Sequence, residues 1–177
     1  RLLGLSAKRH LPNYGEFYER RWFAPAPLHP TGAVPFAGQG PVPFGAGLVF
    51  RCTDPGMDAV AVGVEICEDL WVPQPPSVAM ALEQGATVIL NPSASDEVIG
   101  KAEYRRQLVS QQSARLYCAY AYADAGEGES TTDLVFAGEN LIAENGSLLA
   151  RTPLFSCEMA TADVDLDRLL AERRRST

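Results

Sequence analysis

Val60-Ala61-Val62-Gly63-Val64-Glu65-Ile66-Cys67 is an apolar run that ends abruptly in Glu68-Asp69-Leu70-Trp71. A run this short, rich in β-branched residues and bounded by polar ones, reads as a buried strand. Cys67 then stands at the strand's C-terminal end, where the chain breaks into a polar turn. A thiol there is placed for nucleophilic work. Free cysteine is also among the most buried residue types, so this stretch alone leaves a structural thiol open.

Working outward, Gly47 to Arg51 and Ala59 to Cys67 read as two strands joined at Asp54-Pro55-Gly56. Pro75-Pro76 opens a helix over Ser77 to Gln84 that Gly85 closes. Thr87 to Leu90 follows as a buried strand ending in the Asn91-Pro92 turn, and Lys101 to Leu116 has helical spacing. Cys118 to Ala123 is a strand. Leu134 to Phe136, Asn140 to Glu144 and Leu148 to Ala150 form a meander punctuated by Gly138 and Asn145-Gly146. Thr161 to Val164 is a last short strand before a terminal helix, Leu166 to Arg175. Upstream, Leu2 to Leu5 is a strand end leading into a loop around Lys8, and Ala24 to Gly47 is a long Pro- and Gly-rich surface excursion. Strand-helix alternation followed by a meander predicts an α/β fold, a mixed sheet with helices on one face.

The 177 residues suit one domain, and 46% hydrophobic with 21% charged residues is ordinary for a globular protein. A formal charge of -7 argues against nucleic acid as a partner. The basic cluster Arg173-Arg174-Arg175 reads as a solvated helix end. No apolar run has the length of a membrane span, and no signal peptide is visible. Cys52, Cys67, Cys118 and Cys157 form no C-x-x-C pair and read as reduced thiols in a cytoplasmic protein. With His10 and His29 as the two histidines, no metal site is expected. The chain opens in a strand-like run without an initiator Met, so further upstream strands are expected to join the same sheet.

A second unusual stretch, Lys8-Arg9-His10-Leu11-Pro12-Asn13-Tyr14-Gly15-Glu16-Phe17-Tyr18-Glu19-Arg20-Arg21-Trp22-Phe23, crowds a lysine, aromatics and carboxylates into one loop. Together with Gly63 through Trp71 it resembles the glutamine-hydrolysing, nitrilase-like domain of glutamine-dependent NAD(+) synthetases. Further likeness lies at Asn91-Pro92-Ser93-Ala94-Ser95 with Gly100-Lys101, at Gly126 through Asp133, and at Glu144-Asn145-Gly146. The resemblance thus covers nearly the whole chain. It implies a nitrilase-like α/β/β/α sandwich of which residues 1–177 are the C-terminal portion, a partial carbon-nitrogen hydrolase domain.

The same resemblance implies chemistry. Amide hydrolysis by a thiol needs a thiolate, a proton shuttle and donors aimed at the developing oxyanion. Cys67 would be the nucleophile. Lys8 would favour the thiolate and stabilise the oxyanion, together with the backbone N–H of Glu68. Glu19 would be an auxiliary carboxylate on the lysine; as an exposed loop residue it would do nothing. The general-base glutamate of the family lies upstream of the lysine and outside this chain, so the chain alone is expected to be inactive. Tyr14, Ser95, Lys101 and Glu68 would hold the substrate, L-glutamine. Taken singly, Tyr14 could pack the loop, Ser95 could cap a helix and Lys101 could be a surface charge. Glu65 and the Glu68-Asp69 carboxylates would fix the turn around the thiol.

No cofactor is expected in this domain. ATP and Mg would belong to a covalently linked synthetase domain that receives the ammonia, and the assembly is expected to be a homo-oligomer. A stand-alone amidase or carbamoylase, and a catalytically silent scaffold, are the alternatives.

Overall fold

Six strands form the main sheet in the computed structural model, which describes residues 1–29, 32–131 and 133–176. In chain order the elements are β1 (Leu5–Ser6), β2 (Ala33–Val34), β3 (Val42–Gly45), β4 (Val49–Arg51), β5 (Ala61–Val64), α1 (Pro76–Leu82), β6 (Val88–Ser93), α2 (Lys101–Leu116), β7 (Ala119–Asp124), β8 (Leu141–Glu144), β9 (Ser147–Arg151) and α3 (Leu166–Ser176). The sheet order is β4-β5-β6-β7-β8-β9. The β5-β6 and β6-β7 pairs are parallel, and the other three are antiparallel. Parallel pairs need crossovers, which α1 and α2 supply, and the Asn145-Gly146 turn closes the β8-β9 hairpin with positive φ at both residues.

Both crossover helices lie on one face. Met80 and Ala81 of α1 and Val109 and Leu116 of α2 pack with Ile89, Tyr120, Tyr122, Leu141 and Ala143 of the sheet into one buried core. The fit is close at Gly63, where an added Cβ would lie 2.8 Å from the Met80 sulfur. On the opposite face, Val64, Leu90, Pro92, Ala121 and Ile142 line a shallow apolar cavity of about 530 Å³ together with Met159. Among the described residues no second sheet covers it. The helices and the six-stranded sheet thus form two layers.

A second, three-stranded sheet of order β1-β3-β2 stands beside the first. It serves the loop that carries Lys8: Ala7 N–H donates to Gly45 C=O at 3.1 Å, and Ala26 N–H donates to the Lys8 carbonyl at 3.0 Å.

Several expectations need correction. The strand read as Ala59 to Cys67 is confined to Ala61–Val64. Val60 N–H is taken by a turn to Met57, and Ile66 N–H by the Asp69 carboxylate, so neither extends the ladder. Cys67 consequently begins a 3-10 turn, Cys67–Leu70, three residues past the strand. Leu134 to Phe136 is not a strand but a single bridge between Phe136 and Asp96, because local bonds from Leu134 N–H to Thr131 and from Phe136 N–H to the Ser130 hydroxyl capture its donors. Thr161 to Val164 lies outside any ladder, and the next residue, Asp165, gives its N–H to Glu144. Arg173 is not a solvated helix end either. Its guanidinium donates to the carbonyls of Ala81, Ala86, Leu116 and Tyr117 and ties α3 to the ends of α1 and α2, while Arg174 and Arg175 are exposed. Within the Pro- and Gly-rich excursion and the Gly126 to Asp133 loop, Pro30, Thr31 and Thr132 lie outside the described residues.

Candidate active site

After β5 the chain leaves the sheet through Ile66, in extended conformation, and enters the 3-10 turn with Cys67 at φ +48°. A non-glycine residue in the left-handed region carries about 1–3 kcal/mol of strain and persists only when its surroundings over-determine it. Here they do. Cys67 N–H donates to Asn91 Oδ1 at 3.0 Å from the end of β6, and Ile66 N–H donates to Asp69 Oδ2 at 3.0 Å.

Asp69, fully buried, does more than close its own turn. Its Oδ1 accepts from Arg9 N–H at 3.1 Å and from His10 N–H at 2.7 Å. The turn of the thiol and the loop of the lysine are thereby joined through one carboxylate. Lys8 Nζ in turn contacts both Glu19 oxygens at 2.7 Å, and Glu19 is held by its own N–H on the Pro12 carbonyl at 3.1 Å. Lys8, Glu19, Cys67, Ser93 and Ala94 line one cavity of about 580 Å³, otherwise walled mainly by apolar groups such as Leu11, Phe23 and Phe44.

Cys67 also opens on a second, smaller cavity of about 290 Å³, lined by Tyr14, Glu68, Trp71, Ser95, Asp96 and Lys101 among others. The Tyr14 hydroxyl donates to the Glu68 carboxylate at 2.9 Å. Lys101 pairs with Asp96 and lies 5.3 Å over the Trp71 ring. Ser95 is buried, its N–H donating to Asp124 Oδ1 at 2.8 Å. It does not cap α2, whose N-cap is Gly100. The residues singled out in the sequence, from Lys8 to Lys101, thus lie in two cavities that share the thiol.

The electrostatics are less simple than the sequence suggested. Burial pushes the Cys67 thiol above its ordinary pKa; Lys8, the Ala94 N–H and the Ser93 hydroxyl pull the other way without prevailing. The charge of Lys8 thus favours the thiolate but does not outweigh burial. Burial likewise raises Glu68, against the Tyr14 hydrogen bond and Lys8, and raises Asp69 despite its three backbone donors. It raises the Tyr14 phenol, whose hydrogen bond to Glu68 adds to the effect.

Two sets of polar groups lie behind the pocket, and apart from Glu65, expected at the turn, they went unread in the sequence. Arg105, fully buried on α2, donates through Nη1 to Glu97 at 2.9 Å and to Glu139 at 3.1 Å, and its Nη2 lies 3.8 Å from Asp124. This cluster holds the loop bearing Ser95 and Asp96 against residues 134–139, where Glu97 N–H also meets Val135 C=O at 2.7 Å. Asp124 is pushed up to about 6 by burial, against the donors from Ser95 and Ala125 and the charge of Arg105. The second set comprises Asn91, Tyr120 and Glu65. In sequence Arg105 is one charge among several on a helix and Tyr120 one aromatic in a strand; the available signal is Asn91, the polar residue that follows the apolar run Val88-Ile89-Leu90.

All four cysteines are unpaired. Among the described residues no three His, Cys, Asp or Glu side chains are grouped to hold a metal ion, and no helix is long and apolar enough to cross a membrane.

Compared with known proteins, residues 1–174 match the carbon-nitrogen hydrolase family. The chain is 48% identical over 98% of its length to a glutamine-dependent NAD(+) synthetase of Mycobacterium tuberculosis, of which it covers 25%. It spans about a quarter of the length of such relatives. The crystal structure of a glutamine-dependent NAD(+) synthetase from Cytophaga hutchinsonii superposes with a TM-score of 0.72 at 34% identity, over 90% of this chain and 24% of that one. A carbon-nitrogen hydrolase from Helicobacter pylori shares the fold, with a TM-score of 0.65 at 20% identity over 95% of this chain and 54% of that one. A thiol on a strained turn beside a lysine-carboxylate pair, carried on a sheet of this architecture, thus has its relatives identified, and the chain belongs to the carbon-nitrogen hydrolase family.

Proposed function

We propose that this chain is the thiol-bearing part of a glutaminase that supplies ammonia to an ATP-dependent synthetase domain amidating deamido-NAD. The observation that carries the reading is Cys67 standing between two cavities of different character. One holds Lys8 and Glu19; the other presents Lys101 with Glu68, Asp96 and the Tyr14 hydroxyl. An amino acid with free ammonium and carboxylate groups suits the second, and its side-chain amide would then reach the thiol. The names of the relatives support glutamine as that amino acid.

In this mechanism the Cys67 sulfur attacks the carboxamide carbon, forming the S–C bond. Lys8 Nζ and the Glu68 N–H stabilise the oxyanion. The C–N bond breaks as ammonia leaves with the proton that the thiol gave up, relayed by a carboxylate base supplied from outside this chain. Water then cleaves the γ-glutamyl thioester, returning the proton to sulfur and releasing glutamate. Glu19 orients Lys8, and Tyr14, Ser95, Lys101 and Glu68 hold the glutamine backbone. ATP and Mg act in the linked domain, none being required here, and the assembly is a cytoplasmic homo-oligomer.

The test is Cys67→Ala in the intact gene product. Glutamine-dependent synthesis should be abolished and ammonia-dependent synthesis retained. Equal loss of both would make Cys67 structural and reject the reading.

A further inference from the structure

Behind the thiol, polar side chains from separate elements form one continuous line of hydrogen bonds inside the core. Asn91 Oδ1 accepts from Cys67 N–H at 3.0 Å and from the Ser93 hydroxyl at 2.7 Å. Asn91 Nδ2 donates to the Tyr120 oxygen at 3.0 Å, and the Tyr120 hydroxyl donates to Glu65 Oε1 at 2.5 Å. Glu65 Oε2 accepts from Ser77 N–H at 2.8 Å at the start of α1, and Gln112 of α2 donates to the Ser77 hydroxyl at 2.9 Å. Glu65, Asn91 and Tyr120 are each no more than 1% exposed.

The direction of this line is fixed by its chemistry. Cys67 N–H can only donate, so Asn91 must present its oxygen there and its amide nitrogen to Tyr120. The phenol oxygen keeps a lone pair for that nitrogen whether the proton of the short Tyr120–Glu65 bond rests on the phenol or on the carboxyl. A rotated amide would set its NH2 against the Cys67 N–H and its oxygen against the phenol oxygen. Anchorage on α1 and α2 is thus transmitted to the one backbone donor of the one strained residue in the site, Cys67 at φ +48°. A buried network with every member satisfied is also rigid.

We propose that Glu65, Tyr120 and Asn91 are a positioning relay that holds Cys67 in its left-handed conformation and so keeps the thiol facing Lys8. The proposal rests on the reading of Cys67 as a nucleophile. None of the three reaches the substrate cavity beside Tyr14 and Lys101. They act through the cysteine, and they differ from Asp69, which places the lysine.

The experiment is the rate of alkylation of Cys67 by iodoacetamide as a function of pH, assigned by peptide mass, in the intact gene product. Tyr120→Phe preserves volume but removes the partner that orients Asn91. It should slow alkylation at pH 7 at least tenfold and move the midpoint of the profile upward, as should Asn91→Ala. Glu65→Gln, which keeps an oxygen for Tyr120, should give a smaller loss in the same direction. A purely structural role would lower the melting temperature of these variants and leave alkylation of the folded protein within twofold of wild type, which overturns the relay. Should no variant fold, hydrogen exchange at the Cys67 amide decides. Exchange only through global unfolding supports the relay, and fast exchange from the native state rejects it. Iodoacetamide requires no glutamine, so the two readings separate. A reactive Cys67 without glutamine hydrolysis would reject the glutaminase and leave the relay, whereas a working glutaminase with unaltered variants would reject the relay alone.

Discussion

The turn of the thiol and the loop of the lysine face each other across one pocket, and they are built in opposite ways. Around the turn, Glu65, Asp69 and Asn91 are 1% exposed or less and every one of them accepts a hydrogen bond from a backbone or side-chain donor. The loop is open: Tyr14, Tyr18, Trp22 and Phe23 are between 57% and 70% exposed. Its ties to the rest of the protein are few, chiefly Asp69 on Arg9 and His10, Ala26 on Lys8, and Tyr14 on Glu68. A reacting atom must hold its place through the reaction, whereas a binding loop must admit substrate. On the proposed function the contrast would give rate to the turn and affinity to the loop's rim, with Lys8 grouped with the turn because its neighbours Arg9 and His10 are tied to Asp69.

The sharpest challenge to that division is Lys8→Met, because the residue sits on the loop while the next two residues, Arg9 and His10, are tied to Asp69 of the turn. Losing one oxyanion donor should cost about 10²–10³ in kcat. A normal kcat with only a raised KM for glutamine would return Lys8 to the loop's side of the comparison.

Next in size is a stability effect confined to the buried side. Burial pushes the Glu65 carboxyl up to about 7 and that of Asp124 to about 6, against ordinary values of 4.5 and 3.8. Across that window the folded state holds protons that the unfolded chain has released, so stability falls as pH rises from about 4 to 7. Each tenfold gain in proton affinity is worth about 1.4 kcal/mol, which makes the Glu65 contribution on the order of 3–4 kcal/mol. Chemical denaturation across the window should show the decline, and Glu65→Gln should flatten it. A stability unchanged or rising over the same range would mean that Glu65 is not held protonated in the folded state.

On the substrate side, Lys101→Ala should raise the KM for glutamine about tenfold to a hundredfold, the value of one charge-assisted hydrogen bond, with little change in the rate of thioester formation. An unchanged KM would show that Asp96 and Trp71 hold Lys101 for structure alone. Tyr14→Phe, at the exposed rim, should have the smallest effect, about threefold to tenfold in KM. A larger loss in kcat than in KM would break the comparison at its edge.

What the sequence revealed follows the same division. Cys67, Lys8, Glu19, Tyr14, Ser95, Lys101 and Glu68 could be singled out because each stands in a contiguous motif, and the structure gathers them around two cavities. Of Glu65, Glu68 and Asp69, expected to fix the turn, Asp69 does so directly through Ile66, while Glu65 bonds Ser77 and Tyr120 behind it and Glu68 is taken by Tyr14. The Asn91–Tyr120 link was not legible, since adjacency on neighbouring parallel strands follows from sheet order and register, which no local pattern encodes. The same limit explains the strand misreadings. Thr161 to Val164 has strand-forming residues, but a strand exists only where a ladder partner does, and the chain there runs to Glu144 instead. Helix ends and the β8-β9 turn, set by proline, glycine and asparagine within a few residues, fell close to their expected places.

Asp69 has one more consequence, and it concerns time. Its carboxylate spans segments sixty residues apart in the chain, so the lysine reaches the thiol only after a long loop has closed, a step whose entropy must be met before the contact gives anything back. Until that closure Cys67 and Lys8 share no cavity. The site is therefore assembled by a long-range contact and by no local one, so a chain in which the loop is still open carries the cysteine and the lysine apart.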